Sequence, residues 1–370
     1  MRFVYVPLIL LAALVALDSC SSGKSAYKHG DYYDAVLTSV QRLRQNPDHK
    51  KSKEVLEMSY TSAVEYLEAD AQNQINSNAN FKYRAAVADY EKINRLHEEI
   101  RTSPGALKVI PNPVNKYKEL TEYKAKASEE CYEAGVQALM KNTRQDAKDA
   151  YFLFADASKF TPGYRESTEM MEQARDNATL KVVVVPAADN YYNWNFESIL
   201  HGYNTNQFVK FYTQQQADAQ GLKKIDQFAR VSVNNYNEGR PTINRRVEDR
   251  KDSVKTGERT VNGAKVPVYE KVSAKVTVFE KTVTAHGSIN FIVADGISRA
   301  EIYNTEITSD QSWTDSWAIF TGDKRALGSG NQKLIEKREG NVGKGYLQNE
   351  TKKDLDKKLG TTLSNYYSAF

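Results

Sequence analysis

The sequence predicts an α+β chain, with a helical first half and a second half built on a mixed sheet with flanking helices. Three observations predict it. Residues 27–179 carry small and aromatic side chains at helical spacing, and beyond Leu180 the composition turns to Val, Thr, Asn and Gly. Leu180 to Val185 is a short β-branched run stopped by Pro186, the pattern of a buried strand. Leu355, Leu359, Leu363, Tyr367 and Phe370 draw an apolar stripe on a final helix over 347–370. The chain of 370 residues suffices for two to three domains at ~150 residues each, and the boundary falls near Asn177 to Leu180.

Composition excludes several classes. Hydrophobic residues make up 40% and charged residues 26%, which rules out collagen, a wholly disordered chain and a multispanning membrane protein. The net charge of +4 is too slight to suggest a nucleic-acid partner. Residues 24–180 hold 23 bases and 24 acids, whereas residues 181–370 hold 27 and 22, so the excess lies in the second half.

At the start, Arg2 precedes an uncharged run from Phe3 to Leu17, shorter than the ~20 residues of a spanning helix and suited to a secretory leader. Leu17-Asp18-Ser19-Cys20, followed by a Ser/Gly/Lys tether, resembles a bacterial lipobox, with Asp18 departing from the small or apolar residue usual there. The resemblance implies that residues 1–19 are a lipoprotein signal peptide. It implies acylation of Cys20, with residues 20–26 as the acylated tether. Several acyl chains at ~0.8 kcal/mol per buried CH₂ would anchor the chain to a membrane. Cys131, between Glu130 and Tyr132, is then the remaining thiol and reads as a helix-packing residue.

In the helical half, Tyr32, Ala35, Ser39, Arg42 and Pro47 fall 2, 5, 9, 12 and 17 residues after Gly30. Tyr83, Ala86, Tyr90 and Ile93 repeat part of this pattern, as do Ala147, Ala150, Phe154, Ala157 and Pro162. These offsets resemble the second helix of a tetratricopeptide repeat, where small residues let two helices approach and large ones fill the groove. The units start 51 and 64 residues apart, so an irregular array with extended helices is expected, interrupted by a Pro-containing connection over 102–113. Such arrays bind protein segments in a concave face; a plain helical bundle would use the same residues as core.

The second half follows in the order strand, helix, strand, hairpin, meander, helix. Phe196 to Gly221 places Ile199, Leu200, Tyr203, Phe208, Phe211 and Tyr212 at helical spacing, and Phe228 to Val233 alternates as a strand. A basic hairpin spans 240–265, turning at Asn262-Gly263. Val272, Ala274, Val276 and Val278 share one strand face, with Lys271, Ser273, Lys275 and Thr277 on the other. His286-Gly287 reads as a turn into 288–294, and Asp295-Gly296 as the turn into a strand from Arg299 to Ile307. The opening strand, the strand ending in Asp295-Gly296 and the strand rising from Arg299 resemble the periplasmic α/β domain of curli secretion-channel lipoproteins and lipoprotein activators of penicillin-binding proteins. That resemblance implies a non-catalytic lipoprotein that assembles with other envelope proteins.

Catalytic signatures are sparse. His29, His49, His97, His201 and His286 stand far apart, with no local metal-ligand pair, and neither a nucleophile elbow nor a dinucleotide loop occurs. Gly328-Ser329-Gly330 and 340–345 read as loops. Trp313 and Trp317, flanked by Asp310, Asp315 and Asp323, form the one cluster with a sugar-binding composition. The competing reading is two Trp anchors for an irregular loop, with 319–327 as a surface loop that closes the domain. In the basic hairpin, Arg245 and Arg246 are candidate contacts for an anionic headgroup, a glycan or an acidic partner, against the plainer reading of a solvated hairpin in which acids dilute the bases.

The expectation is a non-catalytic scaffold or assembly lipoprotein of a Gram-negative envelope, facing the periplasm from the outer membrane. Its partners would be the membrane, envelope proteins and peptidoglycan, with no cofactor or metal and with homo-oligomerisation left open. The alternatives are an enzyme acting on glycan or peptidoglycan near the Trp pair, and a ring-forming secretion-channel subunit with 268–294 as membrane strands.

Overall fold

The computed structural model describes residues 23–186, 192, 194–262 and 264–370. Cys20 and the leader lie outside the described residues. The chain is α+β, and it divides between Ala178 and Thr179 into two compact units.

The first unit is helical. Its elements are α1 (Lys24–Lys28), α2 (Tyr32–Gln45), α3 (Lys50–Asn76), α4 (Lys82–Arg101), α5 (Pro104–Leu107), α6 (Tyr117–Met140), α7 (Arg144–Phe160) and α8 (Ser167–Ala178). The three spaced sequence runs fall on α2, α4 and α7, and consecutive long helices pack on one another. Asp31 caps α2 by accepting the Asp34 N–H at 3.1 Å, an interaction worth ~1 kcal/mol. Thr143 caps α7 in the same way, accepting the Asp146 N–H at 3.1 Å.

At α4 the first turn has no cap of its own. A carboxylate on α6 replaces it: Glu130 accepts the Tyr83 and Arg84 N–H groups at 3.1 and 3.3 Å. Small residues set the closest approach. A Cβ on Gly135 of α6 would stand 2.8 Å from the Phe154 ring, which is fully buried on α7. The expected connection over 102–113 contains α5, where Gly105 packs against Pro47 and the Leu43 carbonyl.

The second unit carries a six-stranded mixed sheet: β1 (Leu180–Val184), β2 (Val209–Thr213), β3 (Gln227–Glu238), β4 (Thr242–Val261), β5 (Ala264–Asp295) and β6 (Glu301–Gly322). β1 pairs in parallel with β2 and β3, and β5 pairs antiparallel with β3, β4 and β6. β3 covers 285–295 of β5 and β4 covers 264–282, so these two share one edge of β5 while β6 holds the other. Leu180, Val182 and Val184 enter the main core while Val183 enters a smaller one on the opposite face, which is why β1 is apolar throughout.

The helices of this unit are α9 (Glu197–His201), α10 (Gln214–Ala219), α11 (Ser329–Ile335) and α12 (Tyr346–Tyr367). Leu355, Leu359, Leu363 and Tyr367 of α12 bury against Ile289, Phe291 and Val293 of β5. Asn206 donates to the Tyr367 and Phe370 carbonyls at 2.9 and 3.2 Å, satisfying acceptors that the helix end leaves open.

Five expectations need correction. Residues 196–221 are not one helix: Phe208 to Tyr212 belong largely to β2, whose alternating Val209 and Phe211 are drawn into the core beside β1. His286-Gly287 is no turn, because β5 runs unbroken for 32 residues. The glycine is there for packing, since a Cβ would stand 2.5 Å from Thr351 Cγ2 on α12. Trp313 to Trp317 is not an irregular loop but part of β6, paired with Phe279 to Val283. Residues 319–327 are not a surface loop either: the strand continues to Gly322, and a 3₁₀ turn (Lys324–Ala326) buries Ala326 and Leu327 against Val272 to Val278. Ser329, expected in a loop, opens α11.

Candidate interaction surface

Beyond residue 282, β5 belongs to the main sheet; before it, β4, β5 and β6 form a ribbon that narrows to the β4–β5 pair below Ala274. The ribbon buries opposite faces at its two ends. Val272, Ala274, Val276 and Val278 are buried under the 3₁₀ turn and α11, whereas Lys281, Val283 and Ala285 are buried on the other face. Between Val278 and Lys281 the cover changes sides, and the odd-numbered face toward the tip is left open.

That open face has an ordered content. One cross-strand row runs Arg245, Phe279, Trp317, and the next runs Val247, Thr277, Ile319. Trp317 stacks on Phe279 with centroids 5.4 Å apart and planes 13° from parallel. Ile243, Val247 and Ile319 are 50, 54 and 57% exposed. Toward the tip, Asp249 pairs with Lys275, Lys251 with Ser273, Ser253 with Lys271 and Lys255 with Tyr269.

The face therefore carries Arg245, Lys251, Lys255, Lys265, Lys271 and Lys275 against Asp249 and Glu258, of which Glu258 binds Lys255 at 2.6 Å. The opposite face holds Arg246 and Arg250, both bonded to Glu248, and Arg259, together with Asp252, Glu270 and Glu280. Of the four acids that dilute the bases in the sequence, Glu248 and Asp252 lie on the other side of the ribbon and Asp249 and Glu258 on this one. Arg245 and Trp317 are brought together in one row; Arg246 is turned away from them.

Trp313 shares the face of Trp317 but lies at its covered end, packed with Val283, Leu347 and Val342. A strap over 337–342 closes that end. Lys281, nearly buried, donates to Glu339 at 2.7 Å, Asn341 at 2.7 Å and the Gly340 carbonyl at 3.2 Å. Asp315 accepts the Gly340 N–H at 3.0 Å and Lys337 Nζ at 3.3 Å. Burial opposes ionisation of Asp315, but these hydrogen bonds outweigh it and hold the carboxyl below the ordinary aspartate range.

The other carboxylates of the proposed cluster do not converge with it. Asp310 meets His286 Nδ1 at 2.8 Å in the open, and Asp323 is held low first by its Arg325 side-chain bond. Five and eight residues of strand at ~3.4 Å each separate the three, or roughly 17 and 27 Å. An acid pair for glycoside cleavage needs roughly 5 to 9 Å.

The helical unit contributes a second concavity, an open groove of about 860 Å³ between the start of α4, α6 and α7. Phe81, Tyr132, Val136 and Leu153 give it an apolar lining, and Glu130, Glu133, Asp146 and Asp149 an acidic rim met by Lys141 and Arg165. Arg165 stacks over the Tyr132 ring at 5.2 Å, and Tyr132 donates to Glu166 at 3.1 Å. Burial is the main force raising the Glu130 carboxyl, countered by the two N–H groups it accepts. Cys131 is fully buried beside this groove. Among the described residues no group of three His, Cys, Asp or Glu side chains is placed to hold a metal, and no helix is long and apolar enough to cross a membrane.

Sequence reasoning found Arg245 and Trp317 but not Ile243, Val247, Phe279 or Ile319. The alternation of the sequence sets Lys271 and Lys275 on one strand face, but only the β4–β5 register places Arg245 beside them. Comparison with known protein families and with curated proteins finds no match to this chain.

Proposed function

We propose that this chain is a non-catalytic scaffold lipoprotein of the bacterial envelope, anchored through Cys20, whose helical unit holds a protein partner and whose α/β unit docks or assembles. The observation that supports the reading best is the 860 Å³ groove of the helical unit, with its apolar floor and acidic rim. A groove of that kind suits an extended, basic or amphipathic segment, with Tyr132 and Phe81 as aromatic anchors. The separation of Asp310, Asp315 and Asp323 along β6 favours this over a glycan-cleaving enzyme.

Photo-crosslinkers introduced at Phe81 and Leu153 in the native host test the reading. The expected result is one or two protein adducts that disappear when Glu133 and Asp149 are changed to Lys. Absence of any adduct, or turnover of peptidoglycan that is lost in Asp315→Asn, overturns it. Mass spectrometry of the mature protein tests the anchor, and an unmodified Cys20 within an intact leader rejects that part.

A further inference from the structure

We infer that the open face of the β4–β5–β6 ribbon lies on a bilayer surface rich in anionic headgroups, as a contact separate from any acyl chain. The inference rests on what one face of the ribbon combines. Arg245, Lys251, Lys271 and Lys275 point to the same side and have no ion-pair partner among the described residues. Interleaved with them are Val247 and Ile319, more than half exposed, and the Phe279–Trp317 stack.

Charge and grease on one flat face suit different partners to different degrees. A soluble polyanion would neutralise the bases and leave the aliphatic side chains in water. The interfacial zone of a membrane accepts both, because Trp and Phe settle at headgroup level while Lys stems lie along apolar surface with the ammonium among phosphates. The opposite face is less suited to the same contact, since its Arg246 and Arg250 are bonded to Glu248 and part of it is roofed by α11. Each base held at an anionic surface multiplies partitioning roughly fivefold. Three lysines together therefore account for about a hundredfold.

The test uses the chain from Lys24 onward, which lacks Cys20 and keeps every described helix and strand of both units. Sedimentation with vesicles of phosphatidylcholine, and of equal parts phosphatidylcholine and phosphatidylglycerol, measures partitioning. We expect binding to the mixed vesicles only, weakening as salt is raised, with emission of Trp317 quenched by brominated acyl chains and that quenching lost in Trp317→Phe. Lys251→Gln/Lys271→Gln/Lys275→Gln should lower partitioning about a hundredfold while circular dichroism stays native. Arg246→Gln/Arg250→Gln, on the other face, should leave it within about twofold.

Equal binding to phosphatidylcholine alone, no binding to either vesicle, or equal loss in both variants overturns the inference. Retention on polyglutamate or an anionic cell-wall polymer without retention on vesicles also overturns it, in favour of an acidic polymer. Because Cys20 is absent from the tested chain, any of these failures leaves the acyl-anchor reading untouched.

Discussion

Gly287 lies in the middle of β5 where α12 crosses, and a Cβ there would stand 2.5 Å from Thr351 Cγ2. Gly287→Ala is therefore expected to cost about 1–3 kcal/mol in urea unfolding, and adding Thr351→Ser, which removes the opposing methyl, should recover most of it. An unchanged midpoint for the single variant would show that α12 yields. Cys131 is governed by burial first, which pushes the thiol up to about 11, with Arg84 pulling down and Asp156 and Glu130 adding to the rise. It should resist iodoacetamide in the native protein at mildly alkaline pH and react once urea unfolds the chain; native-state labelling at the unfolded rate would contradict the packing. Asp315 gives the sign of an acid effect. Its folded value lies below its unfolded one, so its contribution is complete above the ordinary aspartate range, about 4, and is lost as pH falls through the folded value. Asp315→Asn should thus flatten the acid limb of a Tm-against-pH curve and lower Tm at neutral pH.

At the scale of elements, the β4–β5 hairpin shows how one residue redirects a surface. Val261 pairs with Ala264, and an undisturbed ladder from there would set Arg246 opposite Phe279. The ladder is not undisturbed. A bulge between Lys255 and Gly257 adds one residue, so Arg245 meets Phe279 and Val254 turns inward to the cluster of Val272 and Val276. Deleting Thr256, the extra residue, should straighten the ladder while Lys255 stays opposite Tyr269 and Arg245 opposite Phe279. The expected outcome is an unchanged or higher Tm with the salt-sensitive vesicle partitioning retained; loss of the partitioning would show that the ladder slips by one residue and turns Arg246, Glu248 and Arg250 to the lysine face. Gly257 is the sequence mark of this bulge, but a lone glycine in a strand has several uses.

For the whole molecule, each unit has cores of its own. The clusters around Leu56 and Phe154 draw only on residues before 178, and those around Phe291 and Val276 only on residues after 179. Residues 179–370 produced alone should unfold in one cooperative step with native-like near-ultraviolet dichroism, and a broad, noncooperative transition would show that the sheet depends on the helical unit. At ~190 residues the fragment is well within the range of independent domains.

The periods of apolar and small residues determined a good deal on their own: the helices of the first half, the buried strand from Leu180, the lysine–valine alternation of 271–278 and the stripe of the last helix. Those patterns are local, because a side chain's face follows from a repeat of 3.6 or 2 along its own segment. Three things were decided only in the folded chain. β2 is a strand because β1 offers it an edge, Gly287 sits inside a strand because α12 presses there, and Arg245 joins the lysines because a bulge shifts its register. Each depends on a partner dozens of residues away, and an aromatic run, a glycine or an arginine has the same spacing along the chain whichever partner it finds.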